Sequence, residues 1–200
     1  GEGGDELLAG YDPFRALGVA GWYRRLVPRS MTPWISSLAR RVIPASEGNM
    51  SLDFKADRFL RGLAVPESIQ LATWMGSLSL AQLKVLMPSY QASLSVERVF
   101  GEVISSDDAA SGNPVDRALD FYQRYYLPDD ILRKVDRASM WVGLELRCPF
   151  LDTELAEYVN RLPAAMKFHR GETKRVLKDV LRRSGLIPRA VIDRPKKGFA

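Results

Sequence analysis

Residues 113–152 read NPVDRALDFYQRYYLPDDILRKVDRASMWVGLELRCPFLD, and the order of caps, apolar stripes and breakers in this stretch decides the fold class. Asn113 followed by Pro114 is a helix start. An asparagine side chain accepts from the orphan amides of a first turn, and the fixed φ of proline suits the first helical position, where a missing N–H costs nothing. Val115, Leu119, Tyr122 and Tyr126 then recur at three- and four-residue intervals on one side, and Pro128 is expected to break that helix. Asp129 is expected to cap a second helix carrying Ile131, Leu132, Val135 and Met140. Gly143 to Phe150 reads as a turn and an extended passage around Pro149. Asp152 caps a third helix with Leu155, Val159 and Leu162 inward.

The same design extends in both directions. Downstream, a helix over about residues 173–184 places Val176, Leu177, Val180 and Leu181 on one face and Lys174, Lys178 and Arg182 on the other, with Gly185 in the C-terminal capping position. Upstream, Trp22 to Val27 stops at Pro28, and Trp34, Ile35, Leu38 and Val42 stop at Pro44. Phe54, Phe59, Leu60 and Leu63 stop at Pro66, Ile69, Trp74 and Met75 stop at Gly76, and Leu80 to Met87 stops at Pro88. Alternating runs are scarce, so the expected fold is mainly α, with strand limited to a few residues near the N-terminus. Residues 104–113, small and polar, are expected to form a mobile loop within a single-domain fragment spanning 1–200.

Composition bounds the rest. Two hundred residues, 46% of them apolar, can bury a core. The longest uncharged stretch, Ser68 to Leu83, is too short and too rich in Ser, Thr and Gln to span a bilayer. One cysteine, Cys148, excludes an internal disulfide framework and any cysteine-cluster zinc site, and suits a reducing cytoplasm. No basic and apolar leader opens the sequence, so no secretory signal is expected. Charge is uneven. Residues 167–200 hold eleven Lys or Arg against three acidic residues, a net +8, while residues 1–166 hold 18 against 21, a net −3. Such a tail attracts polyanions: nucleic acid, a membrane surface or a nucleotide triphosphate.

The first six residues, GEGGDE, place three glycines and three carboxylates ahead of a helix from Leu7. Glycine lets a backbone approach a ligand closely, and carboxylates bind hard cations such as Mg²⁺ through oxygen. Together they suggest a metal-nucleotide site, although Asp5 could equally serve as a helix cap.

GEGGDELLAGY at 1–11, KVDRASMWVGLELRCPFLD at 134–152 and RPKKGF at 194–199 occur in the order and spacing of the glutamine-dependent asparagine synthetases, and the chain resembles the C-terminal part of that family's synthetase domain. The resemblance implies the helical C-terminal portion of an α/β adenine-nucleotide α-hydrolase-like (PP-loop ATPase) domain. The sheet and an SGG-x-DS phosphate loop would lie upstream of Gly1, as would a separate glutaminase domain. It implies a cytoplasmic ligase using ATP and Mg²⁺, which adenylates the side-chain carboxylate of aspartate and amidates it with ammonia from the glutaminase. Carried across by position, Gly1 and Glu2 resemble residues beside the nucleotide and the reacting carboxylate, with Glu2 the candidate base. Asp5 resembles a Mg²⁺ ligand, and Lys196 resembles the lysine that stabilises both transition states. Lys174 is a further candidate for phosphate contact. The full-length parent could form a homodimer, and the fragment alone is expected to be inactive.

Other residues have plainer readings. Glu6 reads as a helix-start carboxylate, Lys197 as solvated, His169 as a surface residue and Cys148 as a small buried hydrophobe. Asp136 or Glu145 with Arg147 is a candidate ion pair within an apolar stretch, which the resemblance would instead place along the cleft and ammonia tunnel. Leu8 and Ala9 depart from the family pattern at packing positions. Two rival readings stand beside this one. A β-lactam synthetase-like enzyme shares the motifs, but would favour tyrosine where Glu2 stands. A basic nucleic-acid-binding module would use the +8 tail, but shows no helix-turn-helix or aromatic-basic pattern.

Overall fold

The computed structural model describes residues 2–44, 51–76, 78, 82, 85–89 and 112–194. Backbone contacts divide the chain into two compact units, residues 1–15 with 111–200, and residues 16–110. Most of the loop expected over 104–113 lies outside the described residues, as do Leu80, Ala81, Leu83 and Lys84 of the stripe expected over 80–87, while its Val85, Leu86 and Met87 are exposed. Among the described residues there is no strand. The one β-type pairing is an isolated bridge between His169 and Glu172, far in sequence from the N-terminal strand that was expected.

In the unit of residues 16–110 the elements are the main part of α2 (Asp12–Leu26), α3 (Thr32–Val42), α4 (Leu52–Ala64) and α5 (Glu67–Met75). Their core is Ala20, Leu60, Leu63 and Trp74, wrapped by half-buried Leu17, Ile35, Ala39, Phe59 and Leu71. Gly62 has a specific reason to be glycine: a Cβ there would overlap the indole of Trp74. That indole donates to the Phe59 carbonyl at 3.3 Å. The expected stripe on α3 is corrected by this packing. Ile35 and Ala39 face the core, whereas Trp34 is 80% exposed and Leu38 and Val42 also face out. A three-four spacing fixes which residues share a face, but two overlapping apolar faces left the inward one undecided.

The unit of residues 1–15 and 111–200 contains α1 (Gly4–Leu7), α6 (Pro114–Phe121), a π-helical segment (Tyr122–Leu132), α7 (Arg133–Met140), α8 (Thr153–Arg161), α9 (Ala164–Lys167), α10 (Arg175–Ser184) and α11 (Arg189–Ile192). Asn113 caps α6 as its sequence indicates, Oδ1 accepting from Val115 N–H at 2.9 Å. Asp152 caps α8 in the same way, accepting from Leu155 N–H at 3.0 Å. Gly185 ends α10 at φ 66°, the left-handed region open to glycine. The apolar residues expected inward on α8 and α10 divide: Val159, Val176 and Leu177 pack into the core, while Leu155 and Val180 are exposed.

Two expectations are overturned at Pro128. The helix does not break there, and Asp129 caps nothing, because both residues lie inside the π-helical segment that joins α6 to α7. An i→i+5 winding is wider than an α-turn, which accommodates a pyrrolidine ring that would collide with the preceding turn of an α-helix. The continuous rod puts Tyr122 in the core, 0% exposed, and brings Tyr126 round to the same side.

Candidate functional site

α1 is one turn long and is held from three directions. Leu7 and Leu8 are buried against Val159, with Phe150, Ala156, Val176 and Leu177 packed around them. The departures from family pattern at Leu8 and Ala9 therefore lie in packing, Ala9 being fully buried. Burying a leucine of this kind contributes about 2 kcal/mol. The glycines ahead of the helix have packing reasons of their own. Gly3 sits at φ 88°, and a Cβ on it would overlap the Leu151 side chain, while one on Gly4 would stand 3.2 Å from the Phe150 ring. The motif at 1–11 and the PFLD end of the motif at 134–152 are thus one packed piece.

Behind α1 the chain turns back through Gly10, whose N–H donates to the Asp5 carbonyl at 2.8 Å. A Cβ on Gly10 would overlap both Asp5 Oδ1 and Lys174 Cε. That absent side chain is the space in which Asp5 and Lys174 meet, Nζ standing 2.9 Å from Oδ1 with both side chains largely covered. Lys174 is set by its backbone. Its N–H donates to the Leu8 carbonyl at 3.0 Å, and its φ of 53° lies in the left-handed region, which turns the chain into α10.

Glu6, on the inner side of α1, is 2% exposed. It accepts from the Tyr11 hydroxyl. Tyr11 stacks on Tyr122 with centroids 4.9 Å apart, and Tyr126 meets both rings edge-on. Burial, reinforced by the Glu6 carboxylate, pushes the Tyr11 phenol well above its usual range, and burial does the same to Tyr122. Tyr126 is pushed up to about 12 by burial and by neighbouring Asp130. These phenols are locked as neutral donors, so Glu6 has a neutral partner at every ordinary pH. Glu6 stands in the first turn of α1, but the helix runs from Gly4 and ends at Leu7 where one was expected to begin, and the burial of Glu6 beneath an aromatic cluster is what sequence spacing did not convey.

Part of the basic C-terminal region is engaged within the chain, through Lys174, Arg175 and Arg182. Arg182 bridges Glu172 at 2.8 Å, Asp193 at 2.7 Å and Asp179 at 3.2 Å. The guanidinium bond to Asp193 holds that carboxyl below its ordinary range. Arg182 therefore fixes the end of α11 immediately before the RPKKGF motif. The Arg147–Glu145 pair forms too, but on the surface, both side chains being exposed. Beside it Trp141 is 90% exposed, with Met140, Val142 and Leu144 also open. His169 is exposed as expected, and Cys148 is half-buried rather than buried.

Of the predicted site residues, the structure brings Asp5 and Lys174 into contact and places half-buried Glu2 in the turn that leads into α1. Gly1 and Lys196 lie outside the described residues. Sequence reasoning did not single out Gly10 or Tyr11, although both stand in the quoted GEGGDELLAGY motif. Among the described residues no group of three or more His, Cys, Asp or Glu side chains could hold a metal by itself. No helix among them is long and apolar enough to cross a membrane.

Comparison with known proteins assigns the site's context. A family model described as asparagine synthase matches residues 1–200. A Mycobacterium tuberculosis H37Rv protein provisionally named a glutamine-hydrolysing asparagine synthetase is 32% identical over the whole of this chain and 28% of its own length. Bacillus subtilis glutamine-hydrolysing asparagine synthetase 1 is 26% identical over the whole chain and 29% of its own length. The human glutamine-hydrolysing asparagine synthetase is 40% identical over 36% of this chain and 13% of its own length. No solved structure matches. The chain spans under a third of the length of the curated relatives it matches end to end, and it belongs to the asparagine synthase family.

Proposed function

We propose that this chain is part of an ATP-dependent, glutamine-hydrolysing asparagine synthetase and contributes one wall of its adenylation site, within a PP-loop ATPase domain. The observation that carries the reading is the contact of Asp5 with Lys174 over Gly10, which puts a carboxylate and an ammonium side by side in a family-matched motif. A metal triphosphate presents both charges at close quarters, cation and phosphate oxygens, and a site for it needs both kinds of group.

The donor set fits magnesium in part. Mg²⁺ characteristically takes one or two protein carboxylates and completes its shell with water and phosphate oxygens. Asp5 would supply one such carboxylate, and among the described residues no group of three or more ligating side chains gathers there. When bound, the metal neutralises triphosphate charge. Lys174 would then turn from Asp5 to a phosphate oxygen, with Lys196 as the second cation. In the reaction an oxygen of the aspartate side-chain carboxylate attacks the α-phosphorus of ATP and pyrophosphate leaves. Ammonia delivered from the glutaminase attacks the acyl carbon, AMP leaves, and Glu2 takes the proton that the new amide loses.

The nucleic-acid alternative is weakened only where the basic region is already paired, Lys174, Arg175 and Arg182 each facing carboxylates of the same chain. The test uses the full-length parent. Lys196→Ala and Asp5→Asn should each abolish pyrophosphate release from ATP and aspartate while glutamine hydrolysis persists. The 200-residue stretch alone should release no pyrophosphate even with ammonium salts. Loss of glutamine hydrolysis with pyrophosphate release intact would overturn the assignment.

A further inference from the structure

A cavity of about 470 Å³ opens between α6, the π-helical segment and the α8–α9 connection, and none of its lining belongs to the residues discussed above as candidates for ATP or aspartate. Its size falls in the range of small-molecule sites, and its walls are mostly polar, set around apolar Leu119 and Leu162. Four of the lining groups are charged, Asp116 and Asp120 against Arg161 and Lys167. Lys167 is 2% exposed, and its ammonium donates to the Asn160 carbonyl at 3.4 Å, the one hydrogen bond it makes among the described residues. Burial pulls its affinity for a proton down, and Asp116 partly restores it. Lys167 thus feels Asp116 across the cavity, yet the two form no ion pair within 4.0 Å.

A nearly buried ammonium with a single weak acceptor is costly unless something anionic reaches it. A carboxylate facing the same space without contact is the complementary demand. Phosphate or a nucleotide would satisfy the lysine but meet repulsion from Asp116 and Asp120, and the exposed Arg161 beside them already pairs with Glu157 at 3.3 Å. A ligand carrying both charges a few ångströms apart satisfies both ends. We propose that this cavity binds a zwitterionic α-amino acid, its carboxylate on Lys167 and its ammonium on Asp116. The paired amides of Asn160 and Gln123, joined at 3.0 Å, supply the remaining donors and acceptors for a polar side chain.

Isothermal titration of the 200-residue chain with the common L-α-amino acids, acetate and methylammonium tests this, with no nucleotide present. At least one amino acid should bind about tenfold more tightly than either half-ligand. Lys167→Met, which keeps the volume and removes the buried charge, should weaken it about tenfold or more, as should Asp116→Asn on the half-buried side. Should Lys167→Met fail to fold, Asp116→Asn with amide shifts confined to residues 114–123 and 160–167 decides the matter. No amino acid binding better than acetate would overturn the proposal. So would binding that survives both variants, or binding lost in Asp5→Asn but kept in Lys167→Met, which would place the ligand at α1.

Discussion

Lys174 Nζ and Asp5 Oδ1 lie 2.9 Å apart although 169 positions separate them in the chain, and the only room for their meeting is the missing side chain of Gly10. The contact ties α1 to the start of α10 alongside the Lys174 N–H bond to Leu8. Gly10→Ala should therefore push the pair apart and cost about 1–3 kcal/mol of stability through overpacking. Thermal unfolding measures the cost. A variant as stable as the parent protein would show that the two side chains move aside freely.

Tyr11→Phe removes the donor to a carboxylate that is 2% exposed. Leaving a buried acceptor short of a partner costs about 1–3 kcal/mol, and more for a charged group. Glu6→Gln should cost less than Tyr11→Phe, because the amide oxygen still accepts from the tyrosine and no buried charge remains. Denaturant titration of both single variants and the double variant gives the coupling. Strictly additive effects would mean that the Glu6 charge adds nothing to the strength of that hydrogen bond.

Much of this architecture was legible in the chain because caps and stops are local. Asn113, Asp152 and Gly185 each act within three residues, and each does in the structure what its side chain implies. Pro128 misled for the opposite reason. Its local rule is to end an α-helix, and only the packing of Tyr122 and Tyr126 around α1 makes a π-helical winding worth its poorer geometry. Gly3 and Gly4 also make room for Leu151 and Phe150, contacts that no spacing within GEGGDE contains. Asp5 with Lys174 was legible as two candidates, and their contact depends on tertiary closure across the whole unit.

Arg182 joins Glu172, Asp179 and Asp193, so Arg182→Gln should loosen α11 from α10 and free the chain ahead of RPKKGF. Individual surface ion pairs contribute little, about 0–1 kcal/mol, and all of these partners touch solvent. The expected loss is accordingly small at physiological salt, and it should shrink further as salt is raised. Hydrogen exchange at residues 189–194 should report the loosening even where global unfolding does not. Unchanged exchange there would show that α11 is held by Ile192 burial alone.

The buried tyrosines set the alkaline limit of stability. In the unfolded chain Tyr126 ionises near its ordinary value of 10.0, whereas in the folded protein burial and Asp130 push it up to about 12, and burial pushes Tyr11 and Tyr122 higher still. Below pH 10 both states keep these protons, so their contribution to stability is fully present. From pH 10 upward the unfolded state binds fewer protons than the folded one, and stability must fall with rising pH. For Tyr126 the loss runs from about pH 10 to about pH 12, and for the other two it continues beyond. Unfolding curves recorded across this range should show the decline beginning near pH 10, with tyrosinate absorbance from Tyr11 and Tyr122 appearing together with unfolding rather than before it. Tyr126→Phe removes one of the three protons from the account, so its decline between pH 10 and pH 12 should be shallower. Full tyrosinate absorbance at pH 10.5 in a chain that stays folded would contradict the burial of this cluster and, with it, the neutral partner assigned to Glu6.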